Sequence, residues 1–348
     1  MSSKQIQKAG DNSVNVQGNK VAITTGLTYQ DVRQVALDVF RYNFYQLAGV
    51  ARDIAQDRAE QITDKFLKEL ESRNPEGLAA ATDPDFLYSL FTAQREYARA
   101  GDDELGDILV DLLVDRTKEQ SRTLIRIVLN ESLRVASQLT SDQIALLSLI
   151  FTLRYTKSNR IRNIKSLSKY LKTRIAPFIK GLPATYVALQ HLEFTGCCSI
   201  SIASLSLENL MADKYPGLFS KGIPREELAD IQIEQPIVNK LLVPCLRDHA
   251  KLQISCIDED VLRNQATKLG VSDDTLEKLV KLDKNHRLKG DDLWKELDAI
   301  EPQLPALRKK WESLRFGHVS LTSVGIAIGH ANVRRVTGES SPLSIWIN

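Results

Sequence analysis

Metal-ligand spacing is the first thing missing from this sequence. Its four cysteines, Cys197, Cys198, Cys245 and Cys256, form no CxxC or CxxH pair, so the usual zinc sites are excluded. The five histidines, His191, His249, His286, His318 and His330, lie far apart. His191 and Cys197 could meet as base and nucleophile only through a particular fold, and isolated cysteines are more often buried packing. No GxxxxGKS/T loop is present to cradle a nucleotide's phosphates, and GxGxxG, HExxH and GxSxG are absent as well. No catalytic residue, metal or cofactor is therefore expected. Apolar residues never approach the run of ~20 that a bilayer requires; 143–153 is the most apolar stretch, and mean hydropathy is −0.21. Residues 1–19 are polar and read as no secretory signal. With free thiols, that predicts a reducing cytoplasm.

A global charge excess is also missing, with 46 Lys and Arg against 44 Asp and Glu. The balance hides two local imbalances. From 143 to 192 there is no acid, while Arg154, Lys157, Arg160, Arg162, Lys165, Lys169, Lys172, Arg174 and Lys180 are all basic. Between 83 and 115 stand nine acids (Asp83, Asp85, Glu96, Asp102, Asp103, Glu104, Asp107, Asp111 and Asp115) and only Arg95 and Arg99 against them. The basic stretch, with Tyr155 and Tyr170 inside it, can contact nucleic-acid phosphates or anionic lipid heads. The plainer expectation is that it docks on the acidic helices, in the same chain or in a neighbouring copy. Asp103, Asp107, Asp111 and Asp115 recur every four residues and form one helical ridge. Four carboxylates in a row can hold a metal or do acid–base work. Their apolar opposite face makes a solvated helix face the expectation instead, and no Glu-x-x-His pair accompanies them for a di-iron site.

The length of 348 residues suits about two domains. Residues 10–26, GDNSVNVQGNKVAITTG, alternate Val14, Val16, Val21 and Ile23 between glycines, as two very short strands around a turn would. Such a hairpin is marginal alone and needs a partner strand, or else frays as a tail. Helical spacing then starts at Thr28, an N-cap with Asp31 in capping-box position, and gives one long or two abutting helices over 28–73. Further helices are predicted from Asp83-Pro84 to Gly101 and from 102 onward, then over 120–138 and 141–156. A basic helical stretch covers 160–179, followed by a helix over 184–194 and a strand over 198–202. Short helices broken by Pro216, Pro224, Pro236 and Gly270 fill 205–300. The end reads as a helix at 304–314, a strand at 318–321, a helix at 323–336 and a β-like piece at 344–347. Gly325 and Gly329 match GxxxG, read here as close helix packing. Trp294, Trp311 and Trp346 are isolated and read as core or interface anchors.

The expected fold is thus mainly α: an N-terminal short β-hairpin or tail (1–26), a helical bundle (27–139), and a winged-helix-like α+β region (140–348) with a helical insertion at about 205–315. The winged-helix-like order rests on 142–155, 189–196, 197–202 and 319–325.

The segments DPDFLYSLFTAQREYARAGDDELGDILVDLLVDR and LTSDQIALLSLIFTLRY, with the later Leu321-Thr322-Ser323-Val324-Gly325 element, resemble the helical core of bacterial Abi-alpha-type abortive-infection proteins. The closing LTSVGIAIGHANVRRVTG and LSIWIN resemble a group of uncharacterised bacterial proteins with this layout. The resemblance implies a helical cytoplasmic protein with a defence role and supplies no catalytic residues. Asn15-Val16-Gln17-Gly18 is similar to amyloid-type signalling motifs, in which Asn/Gln ladders stack between chains.

Three functions follow as expectations. The first is a non-enzymatic, self-associating bacterial interaction protein in phage defence, a homo-oligomer joined through Val14, Asn15, Val16, Gln17, Val21 and Ile23. The alternative is a nucleic-acid-binding regulator using Arg160, Arg162, Lys165, Lys169 and Lys172. The third is an enzyme that uses the aspartate ridge and a metal. No membrane span and no small-molecule ligand are identified.

Overall fold

Thr28 starts the first helix through the reciprocal bonds its spacing implies. Its N–H donates to Asp31 Oδ2 at 2.9 Å, and the Asp31 N–H donates to Thr28 Oγ1 at 3.2 Å. Asp serves where Glu or Gln is usual in a capping box. The computed structural model describes residues 27–43, 49–229, 231, 235–256, 259–338 and 341–348. The β-contact residues Val14, Asn15, Val16, Gln17, Val21 and Ile23 lie outside the described residues.

Two helices, not one, occupy the first predicted span: α1 (Tyr29–Asn43) and α2 (Val50–Arg73). α3 (Pro84–Ala100) starts at Asp83, whose carboxylate accepts from the Asp85 N–H, and ends at Gly101 in the left-handed region at φ +63°. That conformation suits glycine because it has no Cβ to clash. The chain turns at once into α4 (Asp103–Arg116), capped by Asp102, and then α5 (Leu124–Ala136). α6 (Ser141–Ile150) opens on a capping box between Thr140 and Gln143.

Among the described residues seventeen α-helices and two two-stranded sheets make the chain mainly α, with small β elements. The strands expected at 198–202 and 318–321 pair with each other. β1 (Cys198–Ile200) lies antiparallel to a strand at Val319–Leu321, with Cys198 opposite Leu321. α7 (Ile164–Tyr170), α8 (Ala176–Ile179) and α9 (Val187–Phe194) precede β1, and the long excursion over about 205–315 runs between the two strands.

That excursion divides in two. α10 (Leu207–Lys214), α15 (Gly290–Ile300) and α16 (Leu304–Ser313) send Leu207, Met211, Leu293, Trp294, Leu304 and Trp311 into the main core. α11 (Arg225–Ala229), α12 (Gln235–Leu241), α13 (Glu259–Lys268) and α14 (Asp273–Asn285) enclose a smaller core of their own, including Ile223, Leu241, Leu262 and Leu279. A hairpin of β2 (Leu242–Pro244) and β3 (Leu252–Ile254) sits in this second core. The sequence did not predict it, because three-residue strands carry too little alternation to register.

The strand at Val319–Leu321, β4, leads into α17 (Ser323–Thr337). α17 packs against α4, α5 and α6, so the last helix closes the bundle begun by the first. The main core therefore runs from Val32 to Ile347. Gly325 and Gly329 allow the approach: a Cβ on Gly325 would stand 1.9 Å from the Cys197 carbonyl oxygen, and one on Gly329 2.9 Å from that of Leu147. The β-like piece expected at 344–347 is instead a 3-10 turn, Leu343–Ile345. Among the described residues no strand pairs with it; the Trp346 N–H donates locally to Leu343 O at 3.0 Å. No helix of the described residues is long and apolar enough to cross a membrane.

Candidate functional site

The basic stretch is built on two helices that lose regular winding. α6 continues as a π-turn, Phe151–Tyr155, and α7 continues as a second π-turn, Leu171–Ile175. Pro177, two residues beyond the second, has no N–H to sustain the α ladder there. π-Turns leave backbone carbonyls to be satisfied from outside and recur at functional sites. Here Lys214 at the end of α10 donates its ammonium to Thr152 O at 3.1 Å and Leu153 O at 2.6 Å. Burial, together with positive Lys157 nearby, brings the Lys214 amine down to about 8. The Trp346 Nε1–H donates to Tyr155 O at 2.7 Å. The Ser158 N–H donates to the Tyr215 hydroxyl at 3.2 Å, pinning the loop between α6 and α7.

Leu167, Leu171 and Ile175 face the core, which turns Lys165, Lys169 and Lys172 to the outside. Arg160 and Arg162, in the preceding loop, are exposed as well. These five cations form no ion pair among the described residues. The expectation that they dock on the acidic helices of the same chain is corrected, because every one of the nine acids has another partner. Asp83 and Asp85 hold Arg116 and Arg126, Glu96 holds Arg95 and Arg99, Asp107 holds Lys65 and Glu104 holds Arg335. Asp102 caps α4, and Asp103 accepts from the Tyr97 hydroxyl at 3.0 Å.

The other two acids overturn the reading of the ridge as solvated. Asp111 and Asp115 are buried between Arg73 of α2 and Arg334 of α17. Arg73 Nη1 stands 2.6 Å from Asp111 Oδ1, and Arg334 Nη2 2.8 Å from Asp115 Oδ2. Only the upper ridge, Asp103 and Asp107, meets solvent. Asp111 and Asp115 are occupied by guanidinium groups, and among the described residues no group of His, Cys, Asp and Glu is arranged to hold a metal ion.

Beside the cations lies a cleft of about 540 Å³. Lys157, Arg160 and Arg174 give it charge; Tyr155, Tyr170, His330 and Trp346 give it aromatic walls. Arg174 donates to Thr337 at the end of α17. Trp346 meets the Phe151 ring edge-on at 4.8 Å and lies 5.5 Å from His330. His330 Nε2 donates to Ser341 O at 2.8 Å, so its Nδ1 accepts from Arg334 Nη2 at 3.4 Å. Burial lowers the His330 imidazole's affinity for a second proton, which matches that neutral arrangement.

Of the alternative's residues, Arg160 lines this cleft, whereas Arg162, Lys165, Lys169 and Lys172 are exposed and do not line it. Sequence reasoning singled out Tyr155 and Tyr170 but passed over His330 and took Trp346 for a core or interface anchor. Their only signal was an aromatic ring near the chain's end, with nothing local to tie it to residue 155. His191 and Cys197 are not joined: His191 Nδ1 meets the Gln143 amide at 3.0 Å, while the Cys197 sulfur accepts from Thr195 at 3.6 Å. Burial also pushes the Cys197 thiol up and that of Cys198 to about 12, so neither is primed as a nucleophile.

One family model matches residues 26–347. No curated protein and no solved structure matches the chain.

Proposed function

The chain belongs to that uncharacterised family, and we propose that it is a non-enzymatic protein that binds nucleic acid through the phosphate backbone. One observation carries this reading. Arg160, Arg162, Lys165, Lys169 and Lys172 are exposed together and unpaired among the described residues, although the chain holds enough acid to neutralise them. A cluster of unpaired cations repels itself and gains most from a polyanion that releases its condensed counterions on binding. The resemblance to abortive-infection proteins extends the proposal to a bacterial defence role. Fluorescence anisotropy of a labelled single-stranded oligonucleotide tests it with Lys165→Glu, Lys169→Glu and Lys172→Glu combined. All three side chains are outside the core, so the fold persists while affinity falls by at least tenfold, roughly the effect of removing three phosphate contacts. Equal binding by the wild type and the triple variant contradicts the reading.

A second reading keeps self-association, on the alternation of Val14, Val16, Val21 and Ile23 between glycines. Light scattering on the Val16→Pro, Gln17→Lys variant tests it. A lower oligomeric mass supports inter-chain β contact through this segment; an unchanged mass removes it.

A further inference from the structure

We propose that the cleft between the two π-turns takes one nucleotide: a heteroaromatic base against Trp346, with its phosphate on Arg160. The nucleotide arrives either as the end of a single strand or as a free monophosphate. Its arrival on a strand rests on the basic-face reading; its arrival as a monophosphate does not.

Size, wall chemistry and rigidity point the same way. About 540 Å³ falls within the ~300–1,000 Å³ of small-ligand sites. The lining divides by exposure: Lys157 and Arg160 are exposed, whereas Tyr155, Tyr170 and Trp346 are half-buried and His330 is buried. A phosphate monoanion alone has no use for the rings, and an apolar ligand none for the cations. A nucleotide uses both, since bases stack on aromatic side chains irrespective of sequence while the groove's cations follow the backbone. The walls are fixed before any ligand arrives. Trp346 is held by its bond to Tyr155 O and by the Phe151 edge, and the Tyr155 hydroxyl accepts from the Leu321 N–H at 2.9 Å. A ring held in place loses little freedom on stacking. His330, bonded through both nitrogens, gives the inner wall a ring with no spare donor, so the inner wall does not compete for the phosphate.

Titration calorimetry and tryptophan emission on the full chain test this with adenosine monophosphate, ribose 5-phosphate, adenosine and inorganic phosphate. A 5′-phosphorylated and a 5′-hydroxyl oligonucleotide complete the set. The expected result is binding of one adenosine monophosphate with quenched emission. Binding should be about tenfold tighter than for ribose 5-phosphate or adenosine alone, weakened about tenfold by Arg160→Ala, and its quenching lost in Trp346→Phe. Preference for the phosphorylated oligonucleotide assigns the strand end as source; equal binding of both oligonucleotides beside tight monophosphate binding assigns the free nucleotide. Ribose 5-phosphate or inorganic phosphate binding as tightly as the nucleotide overturns the proposal, as does monophosphate binding that neither Arg160→Ala nor Trp346→Phe alters. The two readings fail separately. Oligonucleotide binding without monophosphate binding or quenching sinks the cleft and leaves the basic face, whereas monophosphate binding without oligonucleotide binding does the reverse. Arg160→Ala lies on the surface and Trp346→Phe keeps an aromatic ring, so both variants should fold; circular dichroism confirms this before binding is measured.

Discussion

Arg334 reaches Asp115 across 219 positions of sequence, Nη2 to Oδ2 at 2.8 Å, with both side chains only 10% exposed. The pair joins the last long helix to the fourth and sits beside a second contact, Arg73 with Asp111. Arg334→Ala leaves the buried Asp115 with Arg73 at 3.2 Å and Lys118 at 2.7 Å, so the loss falls short of the about 3–5 kcal/mol of a buried charge left with no partner. The variant is therefore expected to lower unfolding stability in urea by about 1–3 kcal/mol, the worth of its hydrogen bonds to charged groups. A loss under about 1 kcal/mol would show that water reaches the cluster.

Asp111 gives this cluster a pH dependence. Burial pushes its carboxyl up to about 7, against the opposing pull of Arg73. Between pH about 4 and about 7 the folded chain thus holds a proton that the unfolded chain has released. Stability contributed by this group therefore falls as pH rises through that window. Asp111→Asn cannot titrate, so its urea midpoint should change less with pH than the wild type's over the same range. Parallel profiles for the two proteins would contradict the assignment.

Close backbone approach at α17 predicts a steric effect. Gly325→Ala puts a Cβ 1.9 Å from the Cys197 carbonyl oxygen, which belongs to backbone and cannot swing aside. The strand pair and α17 must separate, costing about 3 kcal/mol, the upper end for overpacking. Gly181→Ala is the control, because its Cβ would meet Ala145 at an ordinary 3.5 Å. That change should stay within about 1 kcal/mol of the wild type. Similar thermal midpoints for the two variants would refute the argument.

Much of this architecture is legible residue by residue where the cause is local. Thr28 with Asp31, Asp83 before Pro84, and Thr140 with Gln143 announce helix starts because capping needs only neighbours. Gly325 and Gly329 announce a close approach, though not what they approach. What the sequence hides is what depends on distant partners. Asp111 and Asp115 look like the solvent side of an amphipathic helix until Arg73 and Arg334 arrive from helices far away in the chain. The first π-turn is hidden for a similar reason: Lys214, which satisfies its Thr152 and Leu153 carbonyls, lies about sixty residues further on. Trp346 shares the fate of these residues, since its tie to Tyr155 spans 191 positions. The basic stretch was readable as charge, but its freedom from the acidic helices required knowing that every acid was already engaged.

The most direct test of the central claim is the salt dependence of wild-type binding to a single-stranded oligonucleotide. If the exposed cations at 160–172 hold the phosphate backbone, log affinity falls linearly with log salt, with a slope near −0.7 for each phosphate contacted and so about −3.5 for five. The Lys165→Glu, Lys169→Glu, Lys172→Glu variant should flatten that slope by about two units. Binding that ignores salt, or no binding at low salt, would contradict the account.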